Sequence, residues 1–243
     1  MKLTDKLNFT KEDLIANGPI TIVAFGDSVT HGAVSGTEIN YETVYWNRLK
    51  QKINNYRNYV PVNVINAGIG GITALGSLER IDRDVLSHNP DLVIVCFGLN
   101  DVNGPLEEYI DSLKVIFERT QNSGSDIIFM TPNMLNTFVA EDTSENLREY
   151  AIKTAEMQNS GRMDLFMESA IKLAVEMNVK VCDCYNKWKE LSKSRDITYL
   201  LANRINHPIR EMHELFAQSL FEIIFDGIED VEKTNNSTMY EKA

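Results

Sequence analysis

Five short runs of apolar and β-branched residues, PITIVAF (19–25), PVNVINA (61–67), DLVIVCFG (91–98), SDIIFMT (125–131) and VKVCDCY (179–185), alternate along this chain with stretches of helical periodicity. Runs this short and this continuously apolar suit strands buried on both faces, which requires helices on either side of a sheet. The helical stretches cover 42–56, 75–88, 105–122, 162–178 and 209–226. Strand and helix in strict alternation predict an α/β fold around a parallel sheet. Residues 133–160 fit the alternation least, being polar and weakly patterned at their start. They form either a helical lid over a site or a surface excursion.

The 243 residues carry no Pro/Gly/Ser-rich linker and no shift in composition, so the chain reads as a single domain over 1–228 with a frayed tail over 229–243. The formal charge of −11, from 35 acids against 24 bases without a basic stripe, argues against nucleic acid as a partner. Cys96, Cys182 and Cys184 sit in apolar settings and are read as core thiols. They are too few for a disulfide scaffold, and Cys182-Asp183-Cys184 lacks the two-residue spacer of common zinc sites. No segment reaches the roughly 20 apolar residues of a membrane span, and the N-terminus lacks a secretory apolar run. A cytoplasmic protein without a membrane span is therefore expected. Nothing in the sequence speaks to oligomeric state.

Parallel α/β sheets bind ligands beyond the carboxyl ends of their strands, and the unusual residues fall there: Asp27-Ser28, Gly68-Ile69-Gly70-Gly71, Gly98-Leu99-Asn100-Asp101 and Thr131-Pro132-Asn133. Ser28, where a strand stops and a helix begins, suits either a nucleophile or a helix cap, with Asp27 as the alternative cap. Gly70 and Gly71 expose backbone N–H groups for an anion, or merely let the strand exit. Asn100 can aim its amide at a developing oxyanion or close an Asx-turn. Nucleotide sites fit poorly, because Thr73 stands where a GxGxxG fingerprint needs its last glycine and no Gly-Lys-Ser/Thr triplet occurs. Asp27 would also repel a phosphate, against a flavin- or nucleotide-binding reading. Four histidines are candidate bases. His31 points along the helix that Ser28 starts, His88 precedes Asn89-Pro90 at a helix end, His207 lies just before the last helix, and His213 lies within it.

FGDSVTHG around Ser28, NAGIGG ending at Gly71, GLND containing Asn100 and HP at His207 together resemble, in order, the four sequence blocks of the GDSL/SGNH hydrolases, spanning residues 20–213. The resemblance implies a flavodoxin-like three-layer α/β/α sandwich with a five-stranded parallel sheet, and neither metal nor cofactor. It implies Ser28 as nucleophile, His207 as general base, and an oxyanion hole built from the Ser28 and Gly71 N–H groups and the Asn100 side chain. One block departs from the pattern: Arg204 stands three residues before His207, where the family carries an aspartate. Arginine has no acceptor for an imidazole N–H. The ring is then oriented by the Asn203 side chain or a backbone carbonyl, or by an acid from elsewhere, or the pair works as a Ser28/His207 dyad.

The leading expectation is a lipase-like acylhydrolase, a carboxylic ester hydrolase that cleaves a small acyl ester through an acyl-enzyme. An acetylated carbohydrate is the most attractive substrate. Thioesterases, lysophospholipases and lipases share the same four residues, but the polar start of 133–160 favours short acyl groups. The alternative is a noncatalytic carbohydrate- or ester-binding module that kept the fold and lost its triad acid.

Overall fold

All five apolar runs form strands in the computed structural model, which describes residues 3–56 and 61–226. These are β1 (Ile20–Gly26), β2 (Val62–Gly68), β3 (Leu92–Cys96), β4 (Asp126–Met130) and β5 (Lys180–Cys182). They pair in parallel in the order β2-β1-β3-β4-β5, so the chain steps to one side of β1 after β1 and crosses to the other side after β2. Every residue of β3 is buried, and in β1 all but Thr21, which explains why their sequences lack polar alternation. The edge strand β2 instead exposes Asn63 and half-buries Val64 to Asn66.

Helices α1 (Leu3–Leu7) and α2 (Lys11–Asn17) precede β1, and α3 (Ser28–His31) is a single turn directly after it. Then follow α4 (Tyr45–Tyr56), α5 (Ile81–Asp84), α6 (Leu106–Asn122), α7 (Arg148–Asn159), α8 (Arg162–Glu176), α9 (Cys184–Ser192) and α10 (His213–Phe225). α4 and α10 pack together over one face of the sheet, α6 and α8 over the other, which completes the three-layer sandwich. Phe25 meets Phe97 edge-on at 5.2 Å between ring centres, and Phe117 meets Phe129 at 5.7 Å. Side chains of this size contribute about 1.5–3 kcal/mol each on full burial.

Several elements differ from the sequence expectation for local reasons. The fifth strand stops at Cys182 because the Asp183 carboxylate accepts the Asn186 N–H and caps α9, so Cys184 and Tyr185 are helical. The stretch 75–88 is not one helix but a 3₁₀ turn (Leu75–Arg80), α5 and a second 3₁₀ turn (Leu86–His88), broken where Arg80 turns inward. Helices α1, α2 and α9 went unpredicted, and α7 falls in the 133–160 segment read as a helical lid or a surface excursion. α2 owes its start to a capping box between Thr10 and Asp13, and α1 is anchored by a buried Lys6–Asp91 ion pair. The 133–160 segment starts buried at 133–136, where the Asn136 N–H donates to the Ile205 carbonyl, and is exposed at 141–142 and 144–146. All three cysteines are free and buried, with the Cys182 and Cys184 sulfurs 3.6 Å apart. Among the described residues no helix is long and apolar enough to cross a membrane. The tail over 229–243 lies outside the described residues.

The helical turn α3 sits against the strand ends in backbone contact. A Cβ on Gly26 would lie 2.5 Å from the Cys96 carbonyl and 2.2 Å from Thr30 Oγ1, and one on Gly68 would lie 2.3 Å from the His31 nitrogen. Gly68→Ala therefore has to push α3 off the sheet. The expected loss is about 1–3 kcal/mol in urea unfolding, the range typical of overpacking. Gly26→Ala should cost at least as much.

Candidate active site

The turn that presents Ser28 is made by its neighbour. Asp27 is the N-cap of α3: its Oδ1 accepts the Val29 N–H at 2.9 Å, and the turn closes when Gly32 N–H donates to the Ser28 carbonyl. Ser28 is thus the first helical residue and not the cap, and its hydroxyl is free for another partner. That partner is His207, whose Nε2 lies 2.9 Å from Ser28 Oγ. The other ring nitrogen, Nδ1, lies 3.2 Å from the Val34 carbonyl. A carbonyl only accepts, so Nδ1 carries the proton and Nε2 turns its lone pair to the hydroxyl. Burial holds the imidazole pKa below its ordinary 6.5, partly offset by the Val34 hydrogen bond.

Val34 lies in a small hairpin following α3, bridged between Ala33 and Ile39 and linked to the His207 loop by the Glu38–Arg210 ion pair. Among the described residues no carboxylate hydrogen-bonds the His207 ring. Arg204 faces away from it, in a left-handed backbone conformation (φ 61°), with its guanidinium bidentate on Asp142 at 2.8–3.0 Å. Asn203 does not orient the ring either. Its Oδ1 instead collects the N–H groups of Ile205, Asn206 and His207 at 2.9–3.0 Å, because an asparagine side chain readily satisfies the donors of its own tight turn. Of the acceptors considered from the sequence, the backbone carbonyl is the one in contact. Asn133, wholly buried, adds a bond from its Nδ2 to the Asn206 carbonyl at 2.8 Å. Sequence reasoning placed Asn133 at a strand exit but gave it no role.

The remaining histidines have other partners or positions. His31 Nε2 meets the Tyr41 hydroxyl at 3.3 Å, His88 is exposed at the end of a 3₁₀ turn, and buried His213 accepts the Tyr45 N–H through Nδ1. Asn100 forms no Asx-turn. Its Nδ2 donates to the Ile72 carbonyl at 2.9 Å, which leaves a second N–H of the same amide unused by that bond. The glycine loop lies beside the serine, with a Cβ on Gly70 calculated to lie 3.9 Å from Ser28 Cβ. Among the described residues no group of three or more His, Cys, Asp or Glu could hold a metal ion. A hydroxyl paired with a neutral imidazole, next to a loop of N–H donors, is equipped to attack an electrophilic carbonyl.

The family model described as GDSL-like Lipase/Acylhydrolase matches residues 24–215. Two curated relatives align with under half of this chain. The uncharacterized lipoprotein YqeF of Bacillus subtilis (strain 168) is 28% identical over 120 residues, 45% of this chain and 47% of its own. The GDSL esterase/lipase WDL1 of Oryza sativa subsp. japonica is 29% identical over 125 residues, 46% of each. The chain thus spans about half the length of these relatives. Among solved structures, Axe2, an acetylxylan esterase from Geobacillus stearothermophilus, superposes with a TM-score of 0.66 at 22% identity, covering 88% of this chain and 97% of that one. That is a likeness of fold.

Asp27 yields a prediction of its own. Its Oδ2 is buried without a partner among the described residues, and burial, with a smaller push from Asp101, raises the carboxyl to about 7 against the Val29 N–H bond. The fold disfavours the ionised form, so the penalty is absent below the unfolded value near 3.8, grows as pH rises, and is complete above about 7. Asp27→Asn, which cannot ionise, should become more stable relative to the native protein between pH 4 and 7 and then level off. At ~1.4 kcal/mol per pKa unit the relative gain is on the order of 1–4 kcal/mol, read from urea unfolding at each pH.

Proposed function

The chain belongs to the GDSL-like Lipase/Acylhydrolase family, and from that premise we propose that it is a serine esterase with Ser28 as nucleophile and His207 as its general base. The observation that carries this reading is the 2.9 Å contact between Ser28 Oγ and His207 Nε2. Oγ attacks the ester carbonyl as Nε2 takes its proton, and the imidazolium then protonates the departing alcohol to leave an acyl-Ser28 ester. Water, deprotonated by the same nitrogen, returns the acid and frees the serine. The Ser28 and Gly71 N–H groups and the spare N–H of Asn100 are the donors to the tetrahedral oxyanion.

The Val34 carbonyl takes over part of the work of the missing aspartate. An aspartate does two things for such a histidine: it sets the tautomer and it stabilises the imidazolium by charge. When the tautomer is wrong the rate falls by about 10⁴. A carbonyl at Nδ1 sets the tautomer and supplies a dipole in place of a full charge, so this enzyme is slower than one with a carboxylate but retains the larger part of the effect.

An acetyl group on a carbohydrate is the proposed substrate, supported by the fold likeness to an acetylxylan esterase along nearly that protein's whole length. Hydrolysis of p-nitrophenyl acetate, butyrate and octanoate, beside Ser28→Ala, tests both halves. The expected result is turnover that declines with acyl length and vanishes in the variant, together with acetate release from acetylated xylo-oligosaccharides. If native protein and variant are equally inert on every ester, the reading gives way to a carbohydrate- or ester-binding module. Two further outcomes are expected. The rising limb of kcat/KM against pH should have its midpoint below 6.5, because burial favours neutral His207. Arg204→Asp should not raise kcat, because position 204 faces Asp142 and the new acid would oppose it. A tenfold gain from that variant would refute the role given to Val34.

A further inference from the structure

The loop after β3 and the glycine loop after β2 reach the site separately, and one buried side chain joins them. Asp101, 5% exposed, accepts the Ala74 N–H through Oδ1 at 2.7 Å and the Gly98 N–H through Oδ2 at 3.0 Å. Between these two bonds Asn100 donates from Nδ2 to the Ile72 carbonyl at 2.9 Å. The two loops are therefore cross-linked twice, once by the side chain of Asn100 and once by its neighbour. Both carboxylate oxygens are spent on N–H donors.

We propose that Asp101 is a positioning residue that locks the Asn100 amide and the Gly71 loop into one rigid oxyanion hole. The proposal rests on the esterase reading given above. Asn100 needs one N–H on Ile72 and the other on the oxyanion, and only a fixed distance between the loops allows both. A donor displaced by a fraction of an ångström still permits substrate to bind but stabilises the transition state less. The signature is a loss in kcat with KM nearly unchanged. A carboxylate can accept from two N–H groups at once, whereas an asparagine in its place keeps one acceptor oxygen and turns an NH₂ against the second donor.

The experiment is a double-mutant cycle on the full chain with p-nitrophenyl acetate, comparing native protein, Asp101→Asn, Asn100→Ala and the double variant, with Ser28→Ala as background. Asn100→Ala should lower kcat by about 10²–10³. Asp101→Asn should lower it by roughly tenfold or more with KM within about threefold, and in the double variant it should subtract almost nothing beyond Asn100→Ala, since groups that act as a unit are non-additive. Effects that multiply, or a kcat for Asp101→Asn equal to native, overturn the proposal while the esterase reading stands. Turnover that survives Ser28→Ala unchanged, or is absent from the native protein, overturns the esterase reading and the positioning role with it. Should Asp101→Asn fail to fold, Ala74→Pro takes its place in the cycle. It deletes one of the two N–H donors, leaves the carboxylate intact, and suits the backbone there (φ −56°).

Discussion

At the carboxyl edge of a parallel sheet the strands run out of ladder partners, and their last N–H and C=O groups have to be satisfied by something else. In this protein buried side chains do it. Arg80 donates to the Ala67 and Gly26 carbonyls at the ends of β2 and β1, with its guanidinium over the Phe25 ring. Asn66 bonds both the Gly68 N–H and the His31 carbonyl, tying α3 to β2. Tyr109 donates to the Phe97 carbonyl, and Asp101 takes the Gly98 N–H. Each of these contacts also holds one of the three loops around Ser28, so satisfying the sheet edge and holding the site in shape are the same set of bonds.

The histidine loop is held in a different way. Its residues belong to no regular element, and Asn203, Asn133 and the backbone of Asn136 supply the bonds that a helix or strand would otherwise provide. Arg204, braced on Asp142 and the Leu201 carbonyl, closes the same turn from outside. Loss of the usual acid is thus matched by a loop that is densely bonded through neutral groups. The imidazole is kept in one tautomer and one orientation without a buried negative charge next to it, which avoids the desolvation a carboxylate would bring.

Burial beneath the site works against stability. Asp27 and Asp101 are both pushed upward, to about 7 and about 6, chiefly by burial. Asp27 still has to cap a single-turn helix, and Asp101 still has to accept from two loops. Two acids kept in so dry a setting are what a site retains when geometry there matters more than folding free energy.

Reading the sequence singled out Ser28, Gly71 and Asn100 as candidates, because each sits in a short motif at a strand exit and alternating apolar runs disclose where strands end; His207 stood out by its His-Pro pair just before the last helix. The same reading missed α9 and took 75–88 as one helix, since caps such as Asp183 and inward turns such as Arg80 outweigh periodicity over a few residues. The partner of His207 Nδ1 was beyond it for a more basic reason. Every residue owns a carbonyl, so Val34 carries no mark in its side chain, and only the folded hairpin brings that oxygen within 3.2 Å of the ring. The sequence by itself determined the α/β alternation, the family and the candidate residues of the site. The tertiary structure decided which of four histidines meets a serine 179 residues away and which neutral acceptor meets the other nitrogen of its ring, because contact between distant segments depends on how the layers pack and not on local pattern.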